Sequence, residues 1–142
     1  MPRNGPANPI TDTGSPDARM VLNSDRTEQK GLRLHSTEIE MLVILKIRKR
    51  QWENKIIGDA LSHVFNESWE AWLAKRREVA RYAAAPLSRR AQFNTKLSVE
   101  EVKYLEALKA ESGLTMGAVI GVIIYGLWLE LPAEDRRAPW AR

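Results

Sequence analysis

The sequence predicts a mainly α-helical protein with a short two-stranded antiparallel β-ribbon, arranged as two strand–helix–helix units in one chain. One observation is that each half carries a short extended segment followed by two segments with helical apolar periodicity. The other is that the halves align at a constant offset of 63 residues, which places Leu34 on Leu97 and Leu42 on Leu105. A lone strand leaves backbone groups unpaired, so the extended segments are expected to pair within one chain or between two chains.

The composition favours a binding protein over an enzyme. The chain has 142 residues, a net charge of +4 and no cysteine, which excludes disulfide scaffolds, thiolate metal sites and cysteine nucleophiles. His35 and His63 are too few for a histidine-built metal centre. No pattern indicates a nucleophile–base pair or a phosphate-binding loop, so we expect no catalytic residue, no metal and no cofactor. The absence of cysteine is typical of a reducing compartment, and a cytoplasmic location is expected.

Composition shifts divide the chain into five segments. The N-terminal stretch, residues 1–26, holds four of the seven prolines and no aromatic residue, which predicts a disordered tail. Pro132 closes the last apolar segment, and a second tail is expected after it. The segments are the tail at 1–26, a first unit at 27–73, a basic linker or helix extension at 74–90, a second unit at 91–131, and a C-terminal tail at 132–142.

The first unit is the more divergent of the two. An extended piece near residues 29–35 precedes a helix predicted to begin at a Thr37–Glu40 capping box. A second helix begins near Ile56 and is expected to continue to Ala85, where Pro86 ends it. The tryptophans of this region are expected to pack in the core or at an interface rather than stack on bases; they are Trp52, Trp69 and Trp72.

The linker between the units is strongly basic. Six basic side chains stand against the single acid Glu78, a net charge of +5. Clustered positive charge can provide the counterion release behind non-specific nucleic-acid affinity, although a solvated helix face is the plainer alternative. The basic residues are Lys75, Arg76, Arg77, Arg81, Arg89 and Arg90.

The second unit has the clearer pattern. Gln92–Leu97 alternates polar and apolar residues with a period of two, as a short strand does. Val99–Ser112 has helical apolar periodicity, and Gly113 suits the left-handed position that ends a helix. Thr115 is then a suitable N-cap for the apolar segment Met116–Leu131.

The apolar segment Met116–Leu131 raises the alternative of a membrane helix, because it contains Gly117 and Gly121 in a G-x-x-x-G pattern. Sixteen residues span about 24 Å, which is less than the roughly 30 Å hydrocarbon core of a bilayer. A buried helix is therefore favoured. A helix that is apolar on every side predicts contacts on several faces, as in an intertwined dimer or pseudo-dimer core.

The QFNTKL strand at Gln92–Leu97, the helix and glycine turn after it, and the apolar helix together resemble the ribbon-helix-helix (MetJ/Arc-type) DNA-binding family over about residues 91–131. Two such units in one chain are similar to the TraY-type relaxosome proteins of conjugative plasmids. The resemblance implies a ribbon that enters the major groove and a second helix whose N-terminus faces a phosphate. The DNA contacts expected from the resemblance, the offset and the basic linker are Gln92, Asn94, Lys96, Thr115, Gln29, Arg33, Arg89 and Arg90.

The first unit departs from the family pattern. Gly31 has no side chain to contact a base, Lys30 falls on a core position, and no glycine lies in the turn at residues 48–55. These departures concern the role of the first unit in binding, and the second unit carries the family pattern more fully.

The function expected from the resemblance is sequence-specific binding of double-stranded DNA, as a transcriptional repressor or an accessory factor in plasmid transfer or maintenance. The expected partners are double-stranded DNA and a second unit, supplied in cis as a pseudo-dimer or in trans as a homodimer. No membrane and no small-molecule substrate is expected. The alternative is a small helical interaction or scaffolding protein that makes no DNA contact.

Overall fold

The computed structural model describes residues 21–140 and confirms a mainly helical chain with a two-stranded antiparallel sheet. Most of the expected N-terminal tail, residues 1–20, lies outside the described residues, as do residues 141–142. Within residues 21–140 the elements are β1 (Glu28–Leu34), α1 (Ser36–Lys49), α2 (Glu53–Glu67), α3 (Trp69–Ala74), α4 (Arg77–Ala84), β2 (Ala91–Leu97), α5 (Val99–Ser112) and α6 (Met116–Glu130), with 3₁₀ turns at Asn23–Asp25 and Ala133–Asp135.

The two strands pair with each other, within one chain, as an antiparallel ribbon. Leu32, Leu34 and Leu97 turn inward and are buried, while the alternate positions of both strands are exposed. Gly31 pairs directly with Asn94, and the offset of 63 residues places the same two residues on each other. A pseudo-twofold axis that exchanges the two strand–helix–helix units therefore passes between Gly31 and Asn94.

The first helix of each unit begins with a capping box at equivalent positions. At α1 the His35 side chain caps the helix and Glu38 bonds back to the His35 backbone N–H, 3.0 Å away. At α5 Ser98 and Glu101 make the same pair of bonds, with 2.9 Å between the Ser98 nitrogen and the Glu101 carboxylate. The predicted Thr37–Glu40 box was wrong because a histidine nitrogen can accept the capping bond, which starts the helix earlier at Ser36.

The last helix, α6, lies at the centre of the core. Residues 117–124 and Gly126 are buried, and the helix packs against α1, α2, α4, α5 and β1. Contacts on several faces agree with its uniformly apolar sequence. Among the described residues, no single helix has the length and apolar character needed to cross a membrane.

The predicted continuous helix from Ile56 to Ala85 was wrong, because the chain turns twice within it. α2 ends at Glu67, and Ser68 adopts a φ of 81° while its hydroxyl caps α3 by accepting from the Ala71 N–H. α3 is short, and α4 follows at Arg77–Ala84 within the basic linker. The turn at Ser68 brings Trp69 and Trp72 into the core, which confirms the packing predicted for those two residues.

Both predicted tails include residues that belong to the fold. Arg26, assigned to the N-terminal tail, is 4% exposed and belongs to the folded part. In the C-terminal segment, Arg136 donates to the carbonyls of Leu129 and Leu131, and its own carbonyl accepts from the Trp128 indole at 3.0 Å. Charged residues of tail-like composition are thus held by specific hydrogen bonds that composition alone does not reveal.

Candidate nucleic-acid interface

The outward face of the ribbon consists of six exposed residues, Gln29, Gly31, Arg33, Gln92, Asn94 and Lys96. They share one face because directly opposite residues of an antiparallel pair point the same way, and these six form three such pairs. Arg33 and Lys96 supply two positive charges, and none of the six is acidic. The predicted contacts of both strands therefore lie on one surface with amide and cationic chemistry.

Two hydrogen bonds order side chains of the outward face. The Gln92 amide nitrogen donates to the Asn94 amide oxygen at 3.1 Å. Arg33 Nη1 donates to the backbone carbonyl of Arg90 at 3.1 Å, which ties the guanidinium to the start of β2. The Asn94 amide nitrogen and the other N–H groups of Arg33 remain able to donate to a ligand.

The second helix of each unit begins beside the strand of the other unit. Asn54, in the first turn of α2, accepts from the Thr95 hydroxyl at 3.0 Å and from the Lys96 backbone N–H at 3.2 Å. Gly117, in the first turn of α6, lies so close to β1 that an added Cβ would be 2.2 Å from the Arg33 carbonyl oxygen. Both helix N-termini are thereby fixed at the edges of the ribbon.

The two helix N-termini differ in their chemistry. Thr115 is exposed and caps α6 by accepting from the Ala118 N–H at 3.1 Å, and the first turn of α6 holds no acidic side chain. At the equivalent position of α2, Trp52 makes no side-chain cap, and Glu53 follows it, 3.0 Å from Lys46 Nζ. The N-terminus of α6 is the better suited of the two to an anion.

Trp52 is 72% exposed, so it does not pack in the core, and the interface packing expected as the other possibility stays a prediction. Its indole lines an open hollow of about 540 Å³ at the side of the ribbon. Gln29, Asn94 and Lys96 of the outward face line the same hollow, together with Asn54. An aromatic side chain thus stands beside the amide and cationic groups of the ribbon.

Compared with known proteins, the chain matches no family model, no curated protein and no solved structure. Within residues 21–140, no group of three or more histidine or acidic side chains is arranged to hold a metal ion.

Arg89, predicted as a DNA contact, is turned into the protein, which corrects that assignment. Its guanidinium makes a two-pronged bond to the fully buried carboxylate of Glu38, with Nε 2.9 Å and Nη2 2.6 Å from the two oxygens, and its side chain is 12% exposed. The Tyr82 hydroxyl donates to the same carboxylate at 2.7 Å. Burial, together with this bond to Glu38, raises the pKa of the Tyr82 hydroxyl well above its usual range.

A matching ion pair lies on the other side of the pseudo-twofold axis. Arg26 bonds the buried Glu101 carboxylate through Nε at 3.0 Å and Nη2 at 2.8 Å, and it also reaches Asp59 at 3.2 Å. Burial opposes the charged form of Arg26, but the bonds and charge of Glu101, with those of Asp59, outweigh it and hold its pKa above the ordinary value. Each arginine lies two residues before a strand and therefore joins the start of that strand to the first helix of the other unit.

Sequence reasoning missed these ion pairs although the offset of 63 residues contained their signal. Arg26 aligns with Arg89 and Glu38 with Glu101 at that offset. Gly58 and Gly121 also align, and an added Cβ at either would lie within 2.4 Å of a carboxylate oxygen of Glu101 or Glu38. The identity of an arginine, a glutamate and a glycine at this offset marks both sites in the sequence.

The charge of the basic linker is partly neutralised within the fold. Lys75 and Arg76 both contact Glu67, and Arg76 also lies 3.5 Å from Glu130. With Arg89 bound to Glu38, three of the six basic side chains have carboxylate partners among the described residues. The exposed remainder is Arg77, Arg81 and Arg90.

Proposed function

We propose that this chain binds double-stranded DNA in a sequence-specific manner by placing its ribbon in the major groove, as a ribbon-helix-helix protein with both units in one chain. The proposal is carried by the strand register, which puts Gln29, Arg33, Gln92, Asn94 and Lys96 on one exposed face without an acidic side chain. An acid-free face of amides and cations suits the acceptor-rich surface of a nucleic-acid groove.

The dimensions and chemistry of the ribbon support this choice. Two strands about 4.8 Å apart fit a major groove about 12 Å wide. Glutamine and asparagine can bond adenine through two atoms at once, and arginine and lysine donate to the acceptors of guanine. The outward face thus carries side chains for both kinds of purine.

The helix N-terminus next to β1 supports a role in positioning the ribbon. Thr115 caps α6, whose first N–H groups lie near the ribbon edge and whose first turn holds no acidic side chain. Such an end favours a phosphate group of the DNA backbone. Thr115 would then help to fix the depth and register of the ribbon without reading sequence itself.

The proposed role in the cell is transcriptional repression or assistance in plasmid transfer or maintenance. Both roles require specific recognition of a short duplex by a small protein, and the described residues offer amide and basic groups for that purpose. Sites occupied in cells, mapped by cross-linking, would separate a promoter-bound repressor from a transfer or maintenance factor.

The test begins with selection of bound fragments from random duplex DNA by the full chain. A triple variant, Gln92→Ala with Asn94→Ala and Lys96→Ala, is then expected to lose specific binding of the selected fragment. Each good two-atom base contact contributes about 1–3 kcal/mol, so the loss should exceed about tenfold in Kd. Fluorescence anisotropy with labelled duplex measures the loss, and circular dichroism checks the fold.

The matched control is Lys109→Ala, which removes the same charge from the exposed side of α5. It is expected to leave specific affinity within about twofold, because Lys109 does not lie on the outward face of the ribbon and contributes no base contact. Unchanged affinity in the triple variant would refute the assigned contacts. Failure to enrich any fragment would refute sequence-specific DNA binding and favour the alternative of a helical interaction protein.

A further inference from the structure

The outward face is nearly symmetric about the pseudo-twofold axis, except at its centre. Gln29 exchanges with Gln92, and Arg33 with Lys96, so each end of the face carries one glutamine and one cation. At the centre, Gly31 stands opposite Asn94, and a side chain is present on one strand only. A homodimer would carry the same residue twice at this position, whereas a single chain need not.

The missing side chain at Gly31 shapes the centre of the face. An added Cβ at Gly31 would lie 3.1 Å from the Gln92 amide nitrogen and 3.3 Å from the Asn94 amide oxygen, which is tighter than ordinary contact. These are the two atoms joined by the hydrogen bond between Gln92 and Asn94. The hydrogen-bonded side-chain amides of Gln92 and Asn94 therefore lie over Gly31, so β2 alone supplies the side chains at the pseudo-twofold axis.

The amide pair offers a definite hydrogen-bonding pattern. With the Asn94 oxygen engaged by Gln92, the Asn94 nitrogen keeps its donors and the Gln92 oxygen remains an acceptor. A donor and an acceptor side by side match the N7 acceptor and N6 donor of adenine in the major groove. Gln29, at the pseudo-equivalent position, faces glycine instead of asparagine along its own strand and lacks this neighbour.

The two edges of the ribbon also differ from each other. The exposed indole of Trp52 stands at one edge, and the hydroxyl of Thr115 stands at the equivalent place on the other. Rotating the protein by half a turn on the duplex would exchange these groups and move the amide pair to the other half of the site. The two orientations would thus make different contacts.

Resting on the DNA binding proposed above, we infer that the ribbon binds an asymmetric duplex in one orientation, set by the Gln92–Asn94 amide pair over Gly31. The preferred site has a guanine at each end, where Arg33 or Lys96 can donate to it, and its centre carries an adenine on one side only. The single chain makes this possible because its two units are free to differ at the axis.

A directed cleavage experiment tests the orientation. The chain contains no cysteine, so Thr27→Cys, just before β1 and exposed, provides one attachment point for an iron chelate that cuts DNA nearby. On the selected fragment, cuts are expected on one side of the site centre, in about tenfold or greater excess over the mirror-related side. Equal cutting on both sides, or a palindromic selected site, would overturn the inference while leaving DNA binding intact.

A second set of variants tests the amide pair. Asn94→Ala and Asn94→Gly in the labelled chain are expected to bring the cutting ratio close to one and to remove the central base preference. Asn66→Gly, an exposed asparagine in the last turn of α2, is the matched control and should retain the ratio. If the Asn94 variants fold and keep the ratio, the amide pair does not set the orientation; if no fragment is enriched by the parent chain, the proposed function itself fails.

Discussion

At the scale of single residues, Glu38 and Glu101 each connect a helix start to the opposite unit. Each carboxylate accepts a backbone N–H as part of a capping box and a two-pronged bond from an arginine of the other unit. Their exposures are 0% and 1%, so solvent contributes little to compensate their charge. A buried ion pair adds little net stability over an apolar pair, but removal of one partner leaves a charge without compensation.

Arg89→Ala is expected to destabilise the protein by about 3–5 kcal/mol, because it leaves the Glu38 carboxylate buried with one strong partner removed. Urea unfolding followed by circular dichroism measures the change in the free energy of unfolding. The cavity left by the guanidinium adds to the effect, since the Arg89 side chain is itself largely covered.

Arg90→Ala provides the matched control, since Arg90 is the next residue, carries the same charge and is exposed. Its effect on stability is expected within about 0.5 kcal/mol. Equal losses in the two variants would contradict the structural role assigned to Arg89. The pair also separates folding from binding, because Arg90 remains a proposed DNA contact and Arg89 does not.

At the scale of elements, the sequence was sufficient wherever one local signal determined the structure. The alternation of Gln92–Leu97, the left-handed Gly113 and the Thr115 cap all appear in the structure as predicted. Arg50 adopts the αL conformation at the place equivalent to Gly113, so the first unit makes the same turn although its sequence has no glycine there. The backbone N–H groups of Arg50 and Gln51 both donate to the Lys46 carbonyl and close that turn.

The sequence-based predictions were wrong where contacts between residues distant in the chain determine the local structure. The break at Ser68 allows Trp69 and Trp72 to reach the core, and no helix-breaking residue announces it. Arg89 looked like surface charge because its partner lies 51 positions away in the chain. The outward face could be predicted because successive side chains of a strand point to opposite faces of the sheet. The burial of a charged side chain depends instead on which distant residues the fold places next to it.

Gly117→Ala tests the contact between α6 and β1. Alanine in a helix is ordinarily more stable than glycine by about 0.5–1 kcal/mol. Here the new Cβ would lie 2.2 Å from the Arg33 carbonyl oxygen, so the helix must shift away from the strand. We expect a net destabilisation of about 1–3 kcal/mol, measured by urea unfolding, together with weaker DNA binding.

Ala110→Gly, the reverse substitution on the exposed side of α5, measures how much alanine stabilises a helix of this protein relative to glycine. It should cost about 0.5–1 kcal/mol and leave DNA affinity unchanged. A gain in stability for Gly117→Ala of the size of that cost would contradict the close approach of α6 to β1. The comparison thus isolates packing from propensity.

At the scale of the whole molecule, the contacts that join the two units and stabilise the ribbon all form within one chain. β1 pairs with β2, and the arginine before each strand pairs with the glutamate of the other unit. α6 is covered by helices from both units. In a homodimeric arrangement these same contacts would form between two chains and would depend on protein concentration.

The chain is therefore expected to be a monomer of 16.2 kDa in solution and to bind its site as one chain per duplex. Its Tm should stay constant as protein concentration rises a hundredfold, because no subunit dissociates on unfolding. Sedimentation measures the mass of the free chain and of its complex with the selected duplex. Melting curves at a series of protein concentrations measure how Tm depends on concentration. A mass of two chains with a rising Tm would contradict pairing in cis. A mass of two chains only on the duplex would instead indicate two ribbons side by side, each closed within its own chain, and a selected site of about twice the length would accompany it.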